Sequence, residues 1–595
     1  MKQITVIFIF LFIVNTLESA NIYYVSSSGN ASDSNNGLTE LTPWRTLPYA
    51  ATHATLPGSI IALKRGDTFT LTVHLNIKYG GESGNPIIWD GSLWGAGANA
   101  IVTTNGNTAA LFRIVACQYV TIQNITFDGN KTNTHGVIIG LQSSMYGAPQ
   151  QNNEQYITIQ DCTVRNIGDK AENYHAILIE TWVNDISNIT IQRNTIDYVA
   201  GAGIFLYCGR SVMGAIPSEE RNCYIGYNTI TNYSTAGTAE GIGVNNRVTN
   251  CIFEHNKVIA GPYTVTGVTM VIGAGEYDSG AGKVGYFPTG LILRYNDFRS
   301  ADYPAIYIQG CQAQEMSIYY NKLYRATGTS KNGVIRIDKD FSDLTYAGAN
   351  LKFYNNTIVS ESSGISCLGD ASYSMGGITF RNNLMINTSS TTGGSGLLFV
   401  AAEGSTLHSN NLWWRTVPGN QIYYSSMIPS INKNRSDSTA IEPTGVFSDP
   451  YLTSLIEFDW TLMEGSHCIN GGSDVNLKED YNEYPISGLP DIGAYEYGSK
   501  SDNNIPEKTG APEIFVFPNP VRDLLNISIK GEILEGARIL NLYNLGGKLV
   551  QIIHLSSIDQ DVQQIPIKLN SGLFIIQLVV NNQILATQKF LVVNL

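Results

Sequence analysis

Charge is scarce in this chain of 595 residues, with Asp, Glu, Lys and Arg together at 14 %. There is no Lys/Arg-rich block and the formal net charge is −13, which argues against a nucleic-acid or anionic-membrane partner. An acidic glycan stays open, because a local basic groove can form on an acidic protein. Helical periodicity is almost missing, so the chain is neither a coiled coil nor, given its apolar content, disordered. After Val14 no apolar run approaches the length needed to span a membrane. The 8 cysteines are dispersed and never spaced Cys-x-x-Cys, which argues against a small stapled scaffold and a thiolate metal site. No Ser/His/Asp motif, phosphate loop or nucleotide fingerprint is visible.

What the chain has is a returning phrase. A β-rich quartet ending in Asn is followed by a short apolar run, and recurs at Asn194, Asn228, Asn256, Asn296, Asn321, Asn356 and Asn383. Ile125 and Cys162 take the Asn place in two earlier copies. Repetition of short strands rich in Ile, Val, Thr, Tyr and Phe, bounded by Gly and Asn, predicts a solenoid of stacked coils about 4.8 Å apart, a parallel β-helix. Equivalent residues then form columns, and an Asn column can pass hydrogen bonds from coil to coil because its amide both donates and accepts. Cys223 and Cys251, each five residues before a ladder Asn, are expected in one column on adjacent coils, where they bridge or merely stack.

The ends differ from this pattern. Residues 1–20 join Lys2, the apolar run Ile4 to Val14 and Ser19-Ala20, as in a secretory signal, and the mature chain is expected to start near Asn21 without a transmembrane span. Residues 21–498 read as the β-helix, 499–512 as a polar linker, and 513–595 as alternating strands sufficient for a small β-sandwich.

Two resemblances rest on particular residues. Tyr23 to Gly29, Pro43-Trp44 and Lys64 to Asp67 at one end, with Trp460 to Leu462, Gly465 to Gly471 and Pro490 to Tyr497 at the other, resemble the caps of secreted bacterial right-handed β-helix proteins of the pectate-lyase-like kind. That likeness implies the fold and export; the fold carries lyases, hydrolases and noncatalytic adhesins alike. The remainder, with Phe517 to Pro520, Leu542 to Gly547, Leu569 to Gly572 and Lys589 to Val593, is similar to the C-terminal sorting domain of the type IX secretion system of Bacteroidetes, though Phe574 stands where Tyr is common. It implies passage through that machinery, followed by release or surface attachment.

Alternate strand residues face outward, so candidate sites can be placed in columns. With Ile177, Ile204, Ile242, Val268, Ile306 and Ile335 as equivalent inward positions, the outward residue three places on is Glu180, Tyr207, Asn245, Val271, Gln309 and Asp338 in turn. One place on stand Leu178, Phe205, Gly243, Thr269, Tyr307 and Arg336. Rings can stack on sugar C–H faces while amides and charges bind hydroxyls or acid groups. Insertions at Gly209 to Asn222 and Ile272 to Thr289 are expected to wall this face into a groove. Glu180, Glu240, Glu276, Asp278 and Asp338 are the candidate catalytic carboxyls. Glu180 and Asp338, five coils or roughly 24 Å apart, cannot form one pair; Glu240 with Glu276 or Asp278 is preferred, although each acid alone also fits a solvated surface role. Tyr207, Arg210, Asn245, Arg247, Tyr307, Gln309, Arg336 and Lys339 are the candidate substrate-binding residues, and His175 a further base.

The expectation is therefore a monomeric, exported enzyme acting on an extracellular polysaccharide, by endo-acting hydrolysis with two groove carboxyls. Alternatives are β-elimination on a uronate, using a base and a cation, and a noncatalytic glycan-binding adhesin. No cofactor is called for. No dense Asp cluster is found, and calcium stays open.

Overall fold

The computed structural model describes residues 21–140, 154–169, 174–181, 185–208, 218–237, 239–265, 267–273, 275–278, 283–309, 315–326, 333–338, 350–361, 363–368, 377–388, 398–400, 406–416, 422–424, 432–433 and 442–498, and beyond these the strands between 513 and 592. Two compact units, Met1–Glu496 and Tyr497–Leu595, divide the chain.

The first unit is a parallel β-helix of three long sheets. The first sheet starts at Ile22–Val25 and runs to Thr406–Ser409, the second from Thr68–Leu71 to Leu412–Arg415, and the third from Leu75–Ile77 to Ile422–Tyr424, with Asn432–Lys433 added antiparallel at its end. Inward residues stack in register: Ile159, Ile191, Ile225, Phe253, Leu293, Ile318, Phe353 and Phe380 pair coil to coil and are buried. Strand propensity and the apolar alternation therefore agree, and the stacked columns make one continuous core.

The Asn residues close the turn between the first and second sheets. Asn194 Nδ2 donates to Ile159 O at 3.0 Å and to Asn228 Oδ1 at 3.0 Å, and that same oxygen accepts the Asn194 backbone N–H at 3.1 Å. The pattern repeats through Asn256, Asn296, Asn321, Asn356 and Asn383 and reaches Asn411, one rung beyond the sequence expectation. Glu442 ends the ladder: Oε1 accepts the Asn411 backbone N–H at 2.8 Å, and Oε2 accepts Trp413 Nε1 at 2.8 Å and lies 3.0 Å from His408 Nδ1.

The ladder offsets a strain that the sequence alone does not display. The residue before each rung has positive φ, including Arg193 at 54°, Tyr227 at 58°, His255 at 53°, Tyr295 at 57° and Tyr320 at 51°. None is glycine, so each carries roughly 1–2 kcal/mol of backbone strain. Hydrogen bonds worth about 1 kcal/mol apiece compensate it. So do ring contacts, with Tyr227 stacked 4.5 Å from His255, His255 tilted 5.0 Å from Tyr295 and Tyr295 stacked 6.2 Å from Tyr320. Cys223 and Cys251 do share a column, as free buried thiols, with the Cys223 N–H directed at Cys251 Sγ at 3.3 Å.

The closing segment covers the second sheet, burying Trp460, Leu462, Ile492 and Tyr495 against Val359, Ile386 and Leu412. Lys322 is buried beneath it, donating to Phe458 O at 2.8 Å with the Trp460 ring 5.2 Å from its ammonium. Of the two insertions, residues 209–217 lie outside the described residues. The second contains an antiparallel hairpin, Gly275–Asp278 with Lys283–Tyr286.

The second unit holds two antiparallel sheets, one of 3 and one of 4 strands. Leu525, Ile527, Leu540, Leu542, Phe574, Ile576 and Leu578 form its core, as the strand alternation predicts. Residues 1–20 and 499–512, read from the sequence as signal and linker, lie outside the described residues.

Candidate active site

The outer face of the third sheet carries two columns. Leu178, Phe205, Gly243, Val271, Tyr307 and Arg336 are in register, and beside them Glu180, Tyr207, Asn245, Gly273, Gln309 and Asp338. The strand Val268–Gly273 thus sits two residues from its expected register: Met270, not Val268, pairs with Ile242, so Val271 and Gly273 occupy the places assigned to Thr269 and Val271. A slip of two preserves which side chains face outward, so alternation cannot detect it.

That slip puts glycines in both columns on neighbouring coils, and a cavity of about 420 Å³, lined by Gly273, opens beside the Glu240 and Phe205 side chains that cover Gly243. Phe205, Tyr303, Pro304 and Tyr307 supply apolar walls, with Glu240, Asn245, Gln309 and Arg336 as the polar groups. A Cβ on Gly243 would strike Glu240 Oε1 and the Phe205 ring, whose Cε2 lies 2.7 Å away. The missing side chain is therefore what lets Glu240, at the start of its strand, lie across the face. A Cβ on Gly273 would stand 3.1 Å from Asn245 Oδ1 and 3.5 Å from Gln309 Oε1, so two amide oxygens converge on this second gap. Asn245 Oδ1 is buried without a hydrogen-bond partner among the described residues, an acceptor ready for a hydroxyl donor.

Burial pushes the Glu240 carboxyl up to about 7. A neutral carboxylic acid at the base of a cleft can donate a proton near neutral pH, as an ordinary exposed Glu cannot. Behind it lies Tyr233, fully buried, its phenol raised by burial and by the Glu240 charge. The Arg336 guanidinium lies over the Tyr307 ring, 4.7 Å from its centroid, an arrangement that presents a cation beside an apolar platform. We expect Gly243→Ala to lower kcat about 10- to 100-fold with a smaller change in KM, because it displaces the carboxyl by an ångström or more while leaving the amides in place; steady-state kinetics on the purified variant checks this.

Other candidates are placed elsewhere. Glu180 is 1 % exposed and does not reach the groove surface. The strand Ile177–Thr181 is buried along its whole length, and the buried carboxyl of Glu220, raised by burial and in part by the nearby Glu180 charge, faces the same corner. Alternation predicts direction but not what covers an outward residue. Tyr207 packs with Phe205, ring centroids 5.6 Å apart, onto a small apolar cluster with Ile138 and Leu178. Arg247 is tied to Glu219 at 3.3 Å and is not part of the cavity wall. His175 accepts the Ala202 N–H on Nδ1 at 2.9 Å and its backbone N–H donates to His135 Nδ1 at 3.0 Å, a tilted ring pair whose burial pushes both imidazoles down and keeps them neutral. Glu276 and Asp278 lie on the hairpin that follows Gly273, and Asp338 is in register with Gln309; their side chains, with Arg210 and Lys339 entirely, lie outside the described residues. Among the described residues no group of three or more His, Cys, Asp or Glu is arranged to hold a metal ion.

The sequence reading missed Phe205 as a cleft wall and Tyr303, Pro304 and Val244 altogether. Gly243, interrupting an outward position, was the available signal.

Comparison with known proteins decides the architecture and the export route. Residues 182–385 match the family described as the right handed beta helix region, and residues 515–594 match the secretion system C-terminal sorting domain. The protein is an exported right-handed β-helix. Its sorting domain is of the type IX system, so the protein is secreted or attached to the cell surface. No helix among the described residues is long and apolar enough to cross a membrane. No curated protein matches the chain in sequence.

Similarity to solved structures is at low identity. A GH136 lacto-N-biosidase from Eubacterium ramulus is 17 % identical, with TM-score 0.43, over 66 % of this chain and 64 % of its own. A rhamnogalacturonan lyase is 15 % identical, TM-score 0.39, over 66 % and 87 %. The A-module of a mannuronan C-5 epimerase from Azotobacter vinelandii is 13 % identical, TM-score 0.34, over 65 % and 94 %. The chain thus spans about 64 % of the length of the lacto-N-biosidase.

Proposed function

We propose that this protein cleaves an extracellular polysaccharide by hydrolysis in the third-sheet cleft, with Glu240 as the acid that protonates the leaving glycosidic oxygen. The observation that carries this is a carboxyl pushed up to about 7 by burial, set among rings and amides suited to sugar. Asn245 and Gln309 orient hydroxyls, while Phe205 and Tyr307 face the apolar side of the rings. Hydrolysis also needs a carboxylate that activates water or attacks the anomeric carbon, within about 5–10 Å of the acid. Asp338 is three strand spacings, roughly 14 Å, from the Glu240 strand and is too far. Glu276 and Asp278, on the hairpin leaving the Glu240 neighbour strand, are the proposed partners.

Arg336 over Tyr307 supports a second reading, β-elimination, in which the guanidinium neutralises a uronate carboxyl and a base removes the adjacent proton. The two are separated by incubating the purified protein with plant and algal polysaccharides and recording reducing ends together with the ultraviolet absorbance of unsaturated uronates. Hydrolysis produces reducing ends without absorbance, and either Glu276→Gln or Asp278→Asn lowers it at least 100-fold. Absorbance that rises with the reducing ends, and is lost in Arg336→Ala, would establish the lyase instead. Binding without either product would leave a noncatalytic glycan binder.

A further inference from the structure

The accessible face does not run the length of the solenoid. In the first outward column Arg113, Ile138 and Leu178 are 3 %, 8 % and 3 % exposed, whereas Phe205, Val271, Tyr307 and Arg336 are all partly open. The second column changes at the same place: Glu180 is 1 % exposed, and Tyr207 and Asn245 are partly open. Ile138 and Leu178 belong to an apolar cluster onto which Phe205 and Tyr207 pack, and the His135, His175 and Phe205 rings stand in sequence along its flank. A face buried beneath other parts of the chain leaves a polysaccharide no room. Among the described residues the strip that remains open spans five strands, from the Ile204–Cys208 strand to the Gly333–Asp338 strand, about 19 Å at ordinary strand spacing.

We propose that the cleft is closed at its Phe205 end and takes the terminus of a glycan chain, so that the enzyme is exo-acting and releases a short oligosaccharide at each turnover. This rests on the hydrolytic reading of the cleft and departs from the endo-acting expectation drawn from the sequence. Glu240 stands one coil from the closed end, which leaves room for only a short piece of chain between the wall and the scissile bond. In the reaction the glycosidic C–O bond breaks, the Glu240 proton goes to the leaving oxygen, and water supplies the hydroxyl to the anomeric carbon and a proton to the partner carboxylate. The terminal piece is a polar, hydroxyl-rich saccharide: Asn245 Oδ1 accepts from it, and the Phe205 ring closes its far side.

The test is the size of the earliest products from the full protein acting on alginate, rhamnogalacturonan, polygalacturonan and xylan, separated by chromatography and identified by mass, with viscosity followed in parallel. The expected result is one small product from the first turnovers, no ladder of intermediate sizes, and viscosity that falls only in proportion to the product released. A ladder of intermediate lengths with an early collapse of viscosity would overturn terminal recognition while leaving hydrolysis in this cleft intact. No new reducing ends from any of the four would overturn the hydrolytic reading, and the inference with it.

Discussion

Replacing Glu240 by Gln is expected to lower kcat about 1,000-fold, within the range that a positioned general acid contributes, while making the protein more stable at pH 8. The amide keeps the shape and fills the space over Gly243, so binding through Asn245, Gln309 and the rings should persist and KM should move little. The stability gain follows from linkage. The folded carboxyl is raised from 4.5 to about 7, so the folded state holds its proton more tightly than the unfolded chain does. Below pH 4.5 both states are protonated and the group has no effect. As the pH rises from 4.5 to 7 the unfolded chain ionises and the folded protein loses stability; above 7 the loss is constant. For a partly exposed group that loss amounts to about 2 kcal/mol, after discounting for solvent screening, and Glu240→Gln removes it. Thermal melts of both proteins should coincide at pH 4 and separate at pH 8, with the variant higher. A structural surface acid would show neither the kinetic loss nor this pH dependence.

The second large effect concerns the solenoid. Glu442→Ala is expected to destabilise the last coils by about 3–5 kcal/mol, since breaking a buried, hydrogen-bonded charge cluster strands its remaining members. The Asn411 and Trp413 N–H groups and His408 would all lose their acceptor in a site where Glu442 is 1 % exposed. Stacked repeats transmit instability mainly to neighbours. Hydrogen exchange should therefore accelerate in the strands Ile378–Arg381 and Leu412–Arg415, while Thr126–Thr132, far up the stack, keeps its protection. Glu442→Gln retains an acceptor for Asn411 and is expected to show the smaller effect. Uniform exchange in the alanine variant would mean that Glu442 is not the ladder's terminus in energetic terms.

Much of this architecture was legible because its logic is periodic. The Asn column was readable from Asn194 to Asn383, since a residue that must both donate and accept along a stack cannot vary freely. Inward and outward faces were readable from alternation. Three things were not. A register slip of two at Val268–Gly273 leaves alternation unchanged and so hid Gly273. Glu180 faces outward yet is buried, because its covering comes from other parts of the chain. Arg247 is charged and near in sequence to Asn245 but is held by Glu219, a pairing that no spacing rule announces. The Asn245, Gln309, Tyr307, Arg336 and Glu240 positions came together in one cavity for the opposite reason: four stand at fixed places in the coil repeat, and the fifth begins one of its strands.

The most direct test of the account is the pH dependence of kcat/KM for the wild-type protein and for Glu240→Gln on the polysaccharide that it turns over. The acid role predicts wild-type activity that falls as the pH rises through about 7, where Glu240 loses its proton, and a residual activity in the variant without that alkaline limb. A limb that stays at the same pH in the variant would assign it to another group and contradict the role given to Glu240.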